Sequence, residues 1–161
     1  MITPQELAQA YAQNLEIIRM QTKGLTHADS LLQPPVRGNC LNWVLGHLAC
    51  SRNGLLKLLG LEPVMTDAQA QRYDYGSEPV TGEGEGVMRM EDLLAALERS
   101  QERLAAWLER ATPEDLAREV DVGWRKSTLA AHLFFMYFHD TYHTGQTELL
   151  RQLAGTNDKV I

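Results

Sequence analysis

The sequence predicts an all-α fold, one four-helix bundle over residues 1–161, and three observations carry that prediction. Four segments of similar length place apolar residues every three or four positions, the period of a helix with one buried face. Each segment is bounded by residues that start or stop helices. The chain has 161 residues, 44% of them hydrophobic and 22% charged, which is one ordinary domain able to bury a core. Amphipathic helices of matched length bury their stripes against each other, and the bundle is the simplest solution.

The first helix starts at Thr3-Pro4-Gln5-Glu6. Thr3 can cap, Pro4 suits the first turn and Glu6 completes a capping box. Leu7, Tyr11, Leu15 and Ile18 form its stripe, and Gly24 ends it. The segment from Gln33 to Gly38, with Pro34 and Pro35, cannot be helical, and Asn39 is the expected cap of the next helix. That second helix runs from about Cys40 to Leu59 and stops at Gly60. Residues 61–89 read as a long, flexible, irregular crossover. Its Gly82, Gly84 and Gly86 alternate with Glu83 and Glu85 and lack the lysine of a phosphate-binding loop. A crossover this long permits an up-down-down-up order. The third helix begins near Glu91, with Leu93, Leu97, Leu104 and Leu108 as its stripe. Thr112-Pro113-Glu114-Asp115 starts a short helical turn. The fourth helix follows Ser127 or Thr128 and runs to about Leu153, with Gly155 closing it.

Composition removes several function classes. The net charge of −6 argues against a nucleic-acid partner or an anionic membrane. No apolar run is long enough to span a bilayer, and the first residues lack a secretion signal, so a cytoplasmic location is expected. Cys40 and Cys50, ten residues apart, would be roughly 15 Å apart on one helix, too far for a disulfide. Both are expected as free thiols, with Cys50 one turn beyond His47.

The chemistry concentrates in H-D-T-Y-H-T-G-Q, where His139 and His143 stand four residues apart on the fourth helix. Such a pair lies about 40° apart on the helix, one turn above the other, so both imidazoles can reach one ion. His47 lies in the apolar run Trp43-Val44-Leu45-Gly46-His47-Leu48. Alone it would read as a core histidine satisfied by a backbone carbonyl. Beside the other pair it completes a set of three imidazoles, a ligand set known for catalytic zinc. His132 shares the stripe but lies roughly 10 Å down the axis from His139, too far to join the ion. His27 is expected to be exposed in a connector. Asp140 is expected at the surface or supporting the ligands. Gln146 could orient a bound group, and Trp43, Tyr137 and Tyr142 could line a cavity.

His47 within N-W-V-L-G-H-L, the lead-in G-N-C-L-N-W from Gly38 to Trp43, and H-D-T-Y-H-T-G-Q together resemble the DinB/YfiT-like superfamily of metal-dependent enzymes, over nearly the whole chain. The resemblance implies an up-down-down-up four-helix bundle, often dimeric, with metal on His47, His139 and His143. It implies a divalent ion, zinc by default, with nickel, iron or manganese as alternatives. Relatives include transferases and isomerases that use low-molecular-weight thiols such as bacillithiol or mycothiol. The expectation is therefore a thiol-dependent S-transferase acting on a small electrophile. A hydrolase using metal-bound hydroxide and a non-catalytic metal-binding stress protein are the alternatives. No catalytic side chain beyond the three histidines is singled out. A homodimer is expected, and Leu55, Leu56, Leu58 and Leu59 are expected to supply an outer apolar strip.

Overall fold

A computed structural model describes residues 2–158. Four long helices form the bundle: α1 (Pro4–Thr22), α3 (Leu41–Leu58), α5 (Met90–Leu108) and α7 (Leu129–Leu153). Between them lie short helices α2 (His27–Ser30), α4 (Asp67–Arg72) and α6 (Pro113–Ala117), and an antiparallel hairpin of β1 (Glu119–Asp121) and β2 (Lys126–Thr128). The predicted capping box of α1 is present. Thr3 Oγ1 accepts from the Glu6 amide at 3.1 Å, and the Glu6 carboxylate accepts from the Thr3 amide at 2.7 Å. The α3 cap is Cys40 rather than Asn39, and it makes no side-chain capping bond.

Contacts between side chains give the helix directions. Tyr11 Oη donates to the Leu133 carbonyl and Arg151 Nη1 to the Gln21 carbonyl, so α1 and α7 run parallel. On α3, His47 meets His139 and His143, whereas Leu55 and Leu56 cluster with Leu129 and Leu133, so α3 and α7 are antiparallel. Leu41 and Leu45 pack with Leu93 and Leu97, and Leu55 and Leu56 with Leu104 and Leu108, so α3 and α5 are parallel. The order is up-down-down-up.

The core has two apolar halves with a polar layer between them. One half holds Leu15, Ile18, Leu45 and Leu97; the other holds Tyr11, Leu56, Leu108 and Leu133. Each long helix sends one polar residue into the layer: Asn14, Arg52, Gln101 and Asp140, all buried. Arg52 donates to both carboxylate oxygens of Asp140, at 2.9 and 2.8 Å, and Asn14 Nδ2 donates to the same carboxylate at 3.0 Å. This corrects the expectation for Asp140. It is not at the surface, and its carboxylate bonds Arg52 and Asn14 rather than an imidazole, neutralising a guanidinium that would otherwise be buried unpaired.

Three other expectations change. His27 is buried on α2, where Nδ1 accepts from the Met90 amide at 3.1 Å and so caps α5. Its Nε2 lies 3.0 Å from a Glu83 carboxylate oxygen, which ties the glycine-rich segment to the bundle. The crossover is no loose strap, because it contains α4 and buries Tyr73 and Val80 completely. Leu55 and Leu56 are core residues, with Leu58 and Leu59 half-buried against the same cluster. The large exposed apolar side chains instead include Phe134, Phe138, Tyr142 and Leu149, all on α7.

Candidate metal centre

His47 projects from the middle of α3, and His139 and His143 project one turn apart from the antiparallel α7. Their ring centroids are 4.5–5.1 Å apart, and one nitrogen of each ring lies within 4.8 Å of the others. The Nε2 atoms of His47 and His139 are 3.1 Å apart. His132 lies outside the cluster, as expected.

Two of the three tautomers are fixed by neighbours. His47 Nδ1 lies 2.8 Å from the Tyr73 carbonyl, which can only accept, so Nδ1 carries the proton and Nε2 keeps its lone pair. His143 Nδ1 is 2.7 Å from Gln146 Oε1 and donates to it in the same way, leaving its Nε2 free. Gln146 thus orients a ring, one step behind the role expected for it. His139 Nδ1 is buried and has no partner among the described residues. Its Nε2 faces the bare Nε2 of His47, and only one proton fits between them. A cation can replace that proton and take all three lone pairs, so the residues fit a divalent ion.

Burial lowers the pKa of all three histidines. For His139 the charges of His143 and His47 add to burial and bring it down to about 4. The rings are therefore neutral near pH 7, which is the ligating form. Cys50 takes no part, and burial pushes its thiol up to about 11. Both cysteines are free, as expected.

The support around His47 was not foreseen. Trp43 stacks on its ring, with centroids 4.7 Å apart and planes 12° off parallel, and Trp43 Nε1 donates to Ser77 Oγ at 3.1 Å. Tyr73 lies across the α3 backbone at Gly46, where a Cβ would overlap its ring. Tyr73 Oη donates to Asn42 Oδ1 and accepts from the Met88 amide, which locks the crossover onto α3. The legible signal was the glycine beside the histidine, since an isolated glycine inside a helix marks a close approach.

A cavity of about 990 Å³ adjoins the three histidines. Trp43, Phe135, Phe138, Tyr142 and Leu150 line it, with Pro34 and Val36 from the segment before α3. Among the described residues, none that lines it is Asp, Glu, Lys or Arg. Trp43 and Tyr142 line the cavity as expected. Tyr137 does not; it sits 5.7 Å from Tyr11, edge to face, against the lower core.

Comparison with known proteins agrees with this fold. The family model described as the DinB superfamily matches residues 8–147. No curated protein matches the chain. A solved structure, the crystal structure of a conserved protein from Enterococcus faecalis, superposes with a TM-score of 0.74. It covers 97% of this chain and 99% of its own, at 17% identity, a likeness of fold. Among the described residues no helix is long and apolar enough to cross a membrane.

Proposed function

This chain belongs to the DinB superfamily, and from that premise we propose a metal-dependent enzyme in which His47, His139 and His143 hold one divalent ion. Its reaction is S-transfer from a low-molecular-weight thiol to a small electrophile. The observation that carries the reading is the convergence of three neutral imidazoles, two with their lone pairs set inward by Tyr73 and Gln146. Zinc suits such a set best, with nickel, iron and manganese as alternatives. An ion held by imidazoles alone keeps its full charge and supplies the Lewis acidity that lowers the pKa of a ligated thiol or water.

The chain's residues do the rest. Trp43 and the Tyr73 carbonyl fix His47, and Gln146 fixes His143, so the ligands need little reorganisation. The aromatic side chains Trp43, Phe135, Phe138 and Tyr142 give the reactants an apolar surface beside the cluster. In the transfer the thiol proton goes to solvent, a sulfur–carbon bond forms, and the leaving group departs with the bonding pair. The uncharged lining of the large cavity fits an uncharged electrophile. The exposed apolar residues of α7 support a homodimer.

Metal analysis followed by cobalt substitution tests the proposal. A cellular thiol should produce a sulfur-to-metal charge-transfer band, and transfer to a test electrophile should fall when any of the three histidines is lost. Ester or amide cleavage with no thiol response would select the hydrolase. Neither response would leave a metal-binding protein without turnover.

A further inference from the structure

The histidine cluster stands in a wall shared by two cavities. His47, His139, Tyr75 and Phe135 line both the large apolar cavity and a second one of about 800 Å³. The second has a different chemistry. Ser51, Asp74 and His132 are among its lining residues, whereas among the described residues no Asp, Glu, Lys or Arg lines the first. His132 is 5% exposed, and its Nδ1 is buried with no hydrogen-bond partner. The protein itself closes off Nδ1, so the nitrogen this ring offers to the second cavity is Nε2, which makes no hydrogen bond to the described residues. Burial, and secondarily the charge of Arg125, lowers the pKa of this ring and keeps it neutral, so Nε2 can donate to or accept from a hydroxyl according to the tautomer.

We propose that the second cavity is a separate subsite for a hydroxyl-bearing small molecule that hydrogen-bonds His132. The cluster then joins a polar reactant in one compartment to an apolar one in the other. This division rests on the thiol-transfer reading: the polar reactant is the thiol, with its sulfur at the cluster and a hydroxyl at His132, and the electrophile occupies the large cavity. His132 and His139 are seven residues apart, about 10 Å along the helix. After contact lengths at both ends, that span suits a chain of about three carbons between sulfur and hydroxyl. His132 is a positioning residue here, because it touches the far end of the reactant.

The three tryptophans make the test direct. Trp43 lines the first cavity, Trp124 the second and Trp107 neither. In zinc-loaded protein labelled at the indole nitrogens, 1-thioglycerol should shift Trp124 and leave Trp107 still. It should bind roughly three- to tenfold more tightly than 1-propanethiol, which has the same skeleton without hydroxyls. His132→Leu should abolish that preference, and His132→Asn should retain part of it, with the Trp107 signal reporting that each variant is folded. Ethylbenzene should shift Trp43 without displacing thioglycerol. Glycerol applied to metal-free protein separates the two readings: a Trp124 shift that His132→Leu removes supports the subsite even if zinc fails to bind. The subsite is overturned if neither thioglycerol nor glycerol moves Trp124. It is equally overturned if the His132→Leu protein keeps the preference, or if ethylbenzene and thioglycerol compete.

Discussion

Gly46→Ala and Gly54→Ala make the same chemical change on the same helix and should move stability in opposite directions. At Gly46 the new methyl would overlap the ring of Tyr73, which is fully buried. The ring cannot swing aside freely, because its hydroxyl is bonded to Asn42 at 3.0 Å and to the Met88 amide at 2.8 Å. Overpacking costs about 1–3 kcal/mol, and losing one or two of these bonds adds roughly 1 kcal/mol each. The expected loss is therefore about 2–5 kcal/mol. Displacing Tyr73 also removes the carbonyl that orients His47, which should weaken metal binding on the order of 10- to 100-fold. At Gly54 a Cβ meets nothing within 4 Å, so alanine should stabilise the helix by roughly 0.5–1 kcal/mol. Urea unfolding of both metal-free proteins, with zinc titration against a chromophoric chelator, reads both effects. A Gly46→Ala protein with wild-type stability and wild-type zinc affinity would refute the reasoning.

Four further outcomes are expected. His139→Ala should lose most bound metal while His132→Ala keeps it; full metal content in the former by elemental analysis would end the assignment of the site. Asp140→Ala leaves Arg52 buried and unpaired and should cost about 3–5 kcal/mol in denaturant unfolding; a loss under about 1 kcal/mol would show that water reaches the pair. The metal-free protein should lose stability as pH falls from about 6.5 to about 4. The unfolded chain takes up protons at His139 near the ordinary value of 6.5, whereas burial holds the folded group down to about 4. Unfolding free energies that stay flat across that window would contradict the shift. The protein should sediment as a dimer at micromolar concentration, and Phe134→Glu, on the exposed face of α7, should shift it toward monomer; a wild-type monomer would count against the dimer.

The long helices were legible because each carries its own signal. Thr3 with Glu6 and the 3.6-residue stripes are local, and they agree with the final packing. The short helices used the same signal in plain view. Thr26 with Asp29 and Thr66 with Gln69 each form a capping box, in segments otherwise read as connectors. A helix of four to six residues has no room for an apolar period, so only its cap could have announced it. Recognising the Thr26 box would have moved His27 out of solvent. The hairpin from Glu119 to Thr128 gave less, since strands of three residues show too little alternation to distinguish them from a loop.

The candidate site divides along the same physical line. His139 and His143 could be read together because one turn of helix relates them, and His47 because an imidazole in an apolar run needs a reason. Their supports could not be read so. The group that fixes His47 is a backbone carbonyl, which every residue has, and its position depends on how the crossover folds back over Gly46. Arg52 and Asp140 are 88 residues apart, and each looks like an ordinary surface charge until the helices pair. Yet this pair has a consequence for the site. It joins α3 to α7, Arg52 lies five residues after His47, and Asp140 follows His139 directly. A slip of one helix against the other would break a buried bidentate bond while carrying His47 away from its partners. The polar layer therefore fixes the register on which the imidazole cluster depends, and its cost in desolvation is offset by a single arrangement of the two helices.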